Sequence, residues 1–119
     1  MEAQKLLLIA VVMVLIDIPW LWYVGDKFGT MVQKIQGGRP MEARLFAAIP
    51  VYLAMAWLLT RASDMKEAFF IGACTYAVYD FTCMTIFQGY DLSVALMDTV
   101  WGGVLFTIAY WLGKQFKLL

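Results

Sequence analysis

The chain has 119 residues, of which 63% are hydrophobic and only 15% are charged, and its formal net charge is zero. Ordinary soluble domains are about 45–50% apolar and about 25% charged, and a soluble protein this small could not hide so much apolar surface from water. The composition therefore indicates an integral membrane protein with a single domain over residues 1–119. The sequence has no His and no excess of positive charge, which argues against nucleic-acid binding.

Four apolar segments approach the length that an α-helix needs to cross a bilayer, about 17–25 residues. They predict an all-α, four-helix membrane bundle with spans near residues 6–24, 45–60, 68–87 and 92–112. Strands of a membrane barrel would be about half as long and would alternate polar with apolar residues. The first segment is longer than the apolar core of a signal peptide and is not followed by a small-residue cleavage site, so we expect it to be retained.

The first connection, residues 25–44, is the longest of the three. Its apolar residues recur at the spacing of one helical face: Phe28, Met31, Val32 and Ile35. This pattern is typical of an amphipathic helix. It predicts either a short amphipathic connector helix on the membrane surface or a prolongation of the first span, ended in both cases by the Gly-Gly-Arg-Pro segment at 37–40.

The other two connections are short, and residues 88–91 make the last two spans an antiparallel hairpin. Four spans would place both chain termini on one side of the membrane. That side carries five basic residues, Lys5, Arg61, Lys66, Lys114 and Lys117, and the other side carries four, Lys27, Lys34, Arg39 and Arg44. The positive-inside rule then predicts cytoplasmic termini.

Three acidic residues, Asp17, Asp80 and Asp98, lie inside predicted spans, and no Lys or Arg lies in any span. A charged side chain at the bilayer centre costs about 2.5–3.5 kcal/mol on insertion scales. Each residue of an α-helix advances about 1.5 Å along the axis. Counting from the hairpin turn for Asp80 and Asp98, and from the midpoint of the first span for Asp17, places the three carboxyls at one depth in the bilayer. We therefore expect them to converge in one polar layer.

Aromatic and hydroxyl side chains accompany these acids on the same or neighbouring helical faces: Trp20, Tyr79, Thr82 and Trp101. They are candidate hydrogen-bond donors to the carboxyls. Gly102 and Gly103 would let another helix approach closely, as small residues do in membrane bundles. Cys74 and Cys83 lie about 13.5 Å apart along a helix axis, too far for a disulfide.

Three short motifs carry a family resemblance: Asp17-Ile18-Pro19-Trp20-Leu21, Tyr79-Asp80-Phe81-Thr82 and Asp98-Thr99-Val100-Trp101-Gly102. Together they resemble the signature of small four-span membrane proteins of the domain of unknown function 2177 family. The resemblance covers essentially the whole chain, including the Gly-containing turn between the last two spans. It implies that the acid layer is a family feature, but it implies no particular activity.

The acid layer has more than one interpretation. The carboxyls could form a packing network in a structural or accessory subunit of a membrane-containing assembly, which we favour because no substrate site is evident. Alternatively, they could serve a proton or cation channel or transporter, since intramembrane acids mark such pathways and clustered carboxyls readily share protons or bind cations. Aspartyl enzyme chemistry is a third interpretation, although we expect no enzymatic activity.

No cofactor or metal site is predicted from the sequence. With so little of the chain outside the bilayer, the expected partners are lipids, further copies of the chain and other membrane subunits.

Overall fold

The computed structural model describes residues 2–119 and confirms the all-α four-helix architecture over that range. The helices are α1 (Ala3–Ile35), α2 (Ala48–Thr60), α3 (Met65–Ile86) and α4 (Leu92–Gln115), and a 3₁₀ turn at Leu45–Ala47 leads into α2. Within the described residues, α1, α3 and α4 are long and apolar enough to cross a membrane. The predicted second span is the shorter apolar segment Leu45–Thr60.

Helix α1 continues well past the predicted end of the first span. Its 33 residues make it about 50 Å long, whereas the hydrocarbon core of a bilayer is about 30 Å thick. Of the two alternatives for residues 25–35, the structure therefore shows the prolongation and not a separate connector helix. The helix ends where Gly37 adopts a φ of 70°, which lets Gly38 N–H donate to the carbonyl of Gln33 at 2.8 Å, a common C-terminal cap.

The prolonged part of α1 is helical because its apolar face is covered by protein. Met31 is buried in a cluster with Tyr90, Val94 and Ala95 at the turn between α3 and α4. Phe28 packs edge-on against the Tyr90 ring, with ring centroids 6.5 Å apart. The amphipathic pattern in the first connection therefore reflects packing of the C-terminal part of α1 against the hairpin end. Burial of apolar surface there is favourable.

Helices α3 and α4 form a closely packed antiparallel hairpin, and α1 packs between α2 and α4. A Cβ atom on Gly72 would overlap the carbonyl oxygen of Gly102, and one on Gly102 would lie 2.5 Å from the ring of Tyr76. A Cβ on Gly103 would lie 2.6 Å from the ring of Phe69. The backbones of α3 and α4 can be this close because glycine has no side chain.

Local capping explains where α3 begins and where the hairpin turns. The carboxylate of Asp64 accepts a hydrogen bond from Glu67 N–H at 2.7 Å, and Glu67 in turn accepts from Ser63 N–H at 3.1 Å. This reciprocal arrangement satisfies backbone donors that a helix start leaves unpaired. Between α3 and α4, Gly89 has a φ of 89°, a conformation that other residues adopt only at a cost.

The apolar core consists of two clusters. The larger one lies towards the chain termini and includes Ile9, Met13, Met55, Leu59, Leu105, Phe106 and Tyr110. The smaller one lies at the hairpin end and comprises Met31, Tyr90, Val94 and Ala95. Along α1, α3 and α4 the three intramembrane aspartates fall between these two clusters, so a polar layer separates two apolar regions.

Candidate functional site

Helices α1 and α4 are joined by two reciprocal aspartate–tryptophan hydrogen bonds. Trp20 Nε1 on α1 donates to Asp98 Oδ1 on α4 at 3.1 Å, and Trp101 Nε1 on α4 donates to Asp17 Oδ1 on α1 at 2.7 Å. The two indole rings stack with centroids 5.2 Å apart and planes 11° from parallel. We call these four residues the double Asp–Trp cluster. Each helix supplies one acceptor and one donor, three residues apart.

Helix α2 joins the same layer through one tyrosine. The hydroxyl of Tyr52 donates to Asp17 Oδ2, so both oxygens of this carboxyl are occupied, one by α2 and one by α4. Asp17 is almost fully buried, with 3% of its surface exposed. Because the donors sit on two other helices, this single carboxyl holds three helices together.

Asp80 on α3 has a different environment. It is completely buried, and its Oδ1 accepts a hydrogen bond from the hydroxyl of Tyr90 at 2.7 Å. Its Oδ2 is enclosed by protein and has no partner among the described residues. Asp98 is the acidic side chain that neighbours Asp80 on α4, and it also belongs to the double Asp–Trp cluster.

Tyr90 lies in the hairpin turn, outside the membrane-spanning helices. Burial raises the pKa of its phenol well above its ordinary value of about 10, and the hydrogen bond to Asp80 raises it further. A phenol with a raised pKa keeps its proton at physiological pH. Tyr90 therefore presents an O–H donor to Asp80 under all ordinary conditions.

The structure brings five of the predicted polar residues together, namely Asp17, Trp20, Asp80, Asp98 and Trp101. It places the other two elsewhere. Tyr79 is 52% exposed and Thr82 is also exposed, so neither side chain belongs to the buried layer. The sequence predicts both on helical faces next to that of Asp80, but a helix turns about 100° per residue, and in the structure those faces lie at the surface of the bundle.

Two residues of the site, Tyr52 and Tyr90, are not indicated by the sequence pattern. Tyr52 lies in the segment with no acidic residue, and Tyr90 lies in a turn, where a tyrosine is easily taken for an interfacial aromatic. One signal could have indicated the reciprocal geometry. The spacing Asp-x-x-Trp occurs in α1 at Asp17 and again in α4 at Asp98, on two segments that must run antiparallel if they are neighbours.

A family model described as a predicted membrane protein (DUF2177) matches residues 3–115, nearly the whole chain. The chain belongs to this family. No curated protein and no solved structure matches the chain. The resemblance found in the three sequence motifs is thereby confirmed, and these DUF2177 motifs contain all three carboxyls of the polar layer.

Chemically, the polar layer of this DUF2177 protein is acidic and its hydrogen-bond donors are neutral. The donors to the three carboxyls are two indole N–H groups and two phenols. Within residues 2–119, no group of three or more His, Cys, Asp or Glu residues is arranged to hold a metal ion. Two recorded cavities, of about 650 and 380 Å³, lie at opposite ends of the bundle. Such a layer can fix helices and can hold protons.

Proposed function

We propose that this protein crosses the bilayer four times, with both termini on the cytoplasmic side, and acts as a non-enzymatic structural or accessory subunit of a membrane assembly. In addition to α1, α3 and α4, the segment Leu45–Thr60 makes the remaining crossing, which is the second along the chain. Its 3₁₀ turn and α-helix together span about 25 Å. That length is close to the hydrocarbon thickness of about 30 Å. Tyr52 also ties this segment to Asp17 inside the polar layer.

The observation that carries the proposal is the outer face of α3. We define this face by the exposed residues Cys74, Val78, Tyr79, Phe81, Thr82 and Thr85. Over an apolar stretch of 18 residues, the mean hydropathy is 1.3 in α3 and 2.3 in α1, yet the stretch in α3 has the smaller buried share. A relatively polar helix face that its own bundle leaves uncovered is better matched to a protein neighbour than to lipid, because a protein can accept a hydrogen bond from a hydroxyl group such as that of Thr82, whereas hydrocarbon cannot. The Thr85 hydroxyl already donates to the Phe81 carbonyl.

The polar layer fits this role because it makes the bundle rigid. Hydrogen bonds to Asp17 and Asp98 connect α1, α2 and α4, and a separate bond ties Asp80 on α3 to Tyr90 in the hairpin turn. Interhelical polar bonds in membranes contribute about 0.6 kcal/mol each on average, so several bonds acting together fix one arrangement of helices. A partner helix would then meet a preformed α3 surface. The partner is either a second copy of this chain or another membrane subunit.

Site-specific photo-cross-linking in native membranes tests the proposal. A benzophenone amino acid is placed at Val78, which is 70% exposed on the outer face of α3, or at Leu15, which is 61% exposed on α1. We expect discrete protein adducts from position 78 and mainly lipid adducts from position 15. An adduct of twice the monomer mass identifies a second copy, and any other mass identifies a different subunit. Lipid adducts alone at both positions contradict the proposal.

A second function, proton or cation transport, is favoured by one specific observation. Asp80 Oδ2 is buried without a partner beside the side chain of Asp98, and intramembrane acids of this kind occur in ion and proton pathways. Proton and monovalent-cation flux into proteoliposomes tests it, with a folded Asp80→Asn/Asp98→Asn double variant for comparison. Flux that the double variant abolishes favours transport, whereas equal and negligible flux from both proteins rejects it.

A further inference from the structure

Asp80 is a fully buried acid whose hydrogen bonds are incomplete. Its side chain is 0% exposed, Tyr90 satisfies Oδ1, and Oδ2 has no partner in the described structure. Buried carboxyl oxygens are nearly always hydrogen-bonded, and each exception calls for an explanation. The acidic side chain that neighbours Asp80 on α4 is Asp98.

Two ionised carboxylates cannot hydrogen-bond to each other, because both groups only accept. One proton placed between them changes this, since the protonated acid becomes a donor to the other carboxylate. The groups around Asp80 and Asp98 from every adjoining element supply no cation that could replace this proton. They are Asp17 from α1, Tyr52 from α2, Tyr76, Tyr79 and Cys83 from α3, and Tyr90 from the turn.

We infer that Asp80 and Asp98 form a proton-binding site that holds one shared proton and exchanges it with the aqueous phase at the hairpin end through Tyr90. The proton gives Asp80 Oδ2 its missing partner and leaves the pair with one negative charge instead of two. Carboxyl pairs that share a proton in this way are known to be stable where like charges are forced together. The site does not depend on a partner protein, so it goes beyond the proposed structural role.

The exchange route follows from the position of Tyr90. Its hydroxyl reaches Asp80 from the turn, and the residues on either side of it, Gly89 and Asp91, line the cavity of about 380 Å³ at the bundle surface. Tyr90 itself does not line that cavity, so the route requires a water molecule to enter beside the turn: the Tyr90 O–H proton moves to Asp80 as the phenol oxygen takes a proton from this water, which leaves as hydroxide. The reverse steps release the proton, so atoms and charge balance in both directions.

The cavity itself favours this exchange. It is lined by acidic and basic side chains, Asp26, Lys27, Lys34 and Asp91, with Thr30 and Met31. Charged groups keep water in a surface cavity, and water is the proton donor and acceptor that the route requires. The larger apolar cluster lies on the other side of the acid layer. The inferred exchange is therefore with the hairpin end alone, whereas the transport alternative requires access from both sides of the membrane.

Infrared spectroscopy of the protein in lipid at neutral pH tests the shared proton directly. We expect one carbonyl stretch from a protonated carboxyl, shifted in deuterium oxide, which disappears in Asp80→Asn and in Asp98→Asn. Asp17→Asn is the matched control and should keep the band. Helix content by circular dichroism shows that each variant is folded. Absence of the band from the wild-type protein, or its loss only in Asp17→Asn, overturns the inference.

The route is tested by the rate at which the same band shifts after transfer to deuterium oxide. Tyr90→Phe should slow the shift by at least about tenfold, since a positioned acid–base group contributes that much or more to proton transfer. Tyr23→Phe is the control, because Tyr23 is 73% exposed and lies on α1. An unchanged rate in Tyr90→Phe rejects the route. The liposome flux experiment is separate, so a proton site without transport is recognised as such.

Discussion

Asp17 and Asp80 are the two polar side chains that the described bundle buries most completely, with 3% and 0% of their surfaces exposed, yet their surroundings differ. Both oxygens of Asp17 accept hydrogen bonds, one from Tyr52 and one from Trp101. Asp80 has one donor, Tyr90, and one oxygen without a partner. Burial alone therefore does not assign a role to an intramembrane acid. The number of donors around it does, because a satisfied carboxyl fixes packing and an unsatisfied one has room for a proton.

The two sites also depend on different helix contacts. Asp17 is held by α2 and α4, whereas Asp80 meets Asp98 only because α3 and α4 approach so closely at Gly72 and Gly102. Changes at that contact should disturb the Asp80 site first. Changes at Asp17 should loosen the whole bundle. Variants of the two regions can thus be compared in one assay.

The largest effect is expected from Gly72→Ala. The added methyl group would overlap the carbonyl oxygen of Gly102 and the side chain of Phe106, and overpacking of this kind costs about 3 kcal/mol when backbone must move. The free energy of unfolding, measured by titrating mixed micelles with dodecyl sulfate under circular dichroism, should fall by about that amount. Gly25→Ala is the control, because nothing lies within 4 Å of its added carbon. Equal stability of the two variants would mean that α3 and α4 are farther apart than described.

The next effect is expected from Asp17→Leu, which keeps the number and branching of the side-chain heavy atoms but removes both acceptors. The Tyr52 hydroxyl and the Trp101 N–H would lose their partners inside the bundle, at a combined cost of about 2 kcal/mol. The same unfolding assay measures this loss. Asp26→Leu on the exposed prolongation of α1 is the comparison, and it should change stability by less than about 0.5 kcal/mol. A neutral Asp17→Leu would remove Asp17 from the packing network.

The sequence predicted the four helices and grouped the three acids in one layer, for physical reasons. Apolar run length determines whether a helix can cross a bilayer, and a fixed rise per residue determines depth. Neither quantity specifies the rotation of each helix about its axis. For that reason Tyr79 and Thr82 were expected beside Asp80, whereas the structure turns them outward.

The rest of the site depends on contacts between distant parts of the chain. Tyr52 lies 35 residues from Asp17, and nothing in its own segment distinguishes it from an ordinary aromatic. The prolongation of α1 has a similar explanation. Its apolar face fits a membrane surface as well as it fits the hairpin end, and only the position of Tyr90 and Val94 decides between them.

The smallest effect is expected from Trp20→Phe. Phenylalanine keeps an aromatic ring against Trp101, where the indoles now stack, but it cannot donate to Asp98. Loss of this one partly buried hydrogen bond should lower the free energy of unfolding by about 0.5 kcal/mol. The infrared band assigned to the Asp80–Asp98 pair should persist in this variant. A loss as large as that of Asp17→Leu would show that the stacked indoles, and not the carboxyls, hold α1 against α4.

The central claim is that Asp17 fixes the bundle whereas Asp80 holds a proton, and one matched pair of substitutions tests it most directly. In Asp17→Asn, a single amide oxygen must serve two donors, so the free energy of unfolding at neutral pH should fall by about 1 kcal/mol. In Asp80→Asn, the amide can accept from Tyr90 and donate to Asp98, as the shared proton does, so stability should stay the same or rise. A marked loss in Asp80→Asn together with a neutral Asp17→Asn would contradict the account.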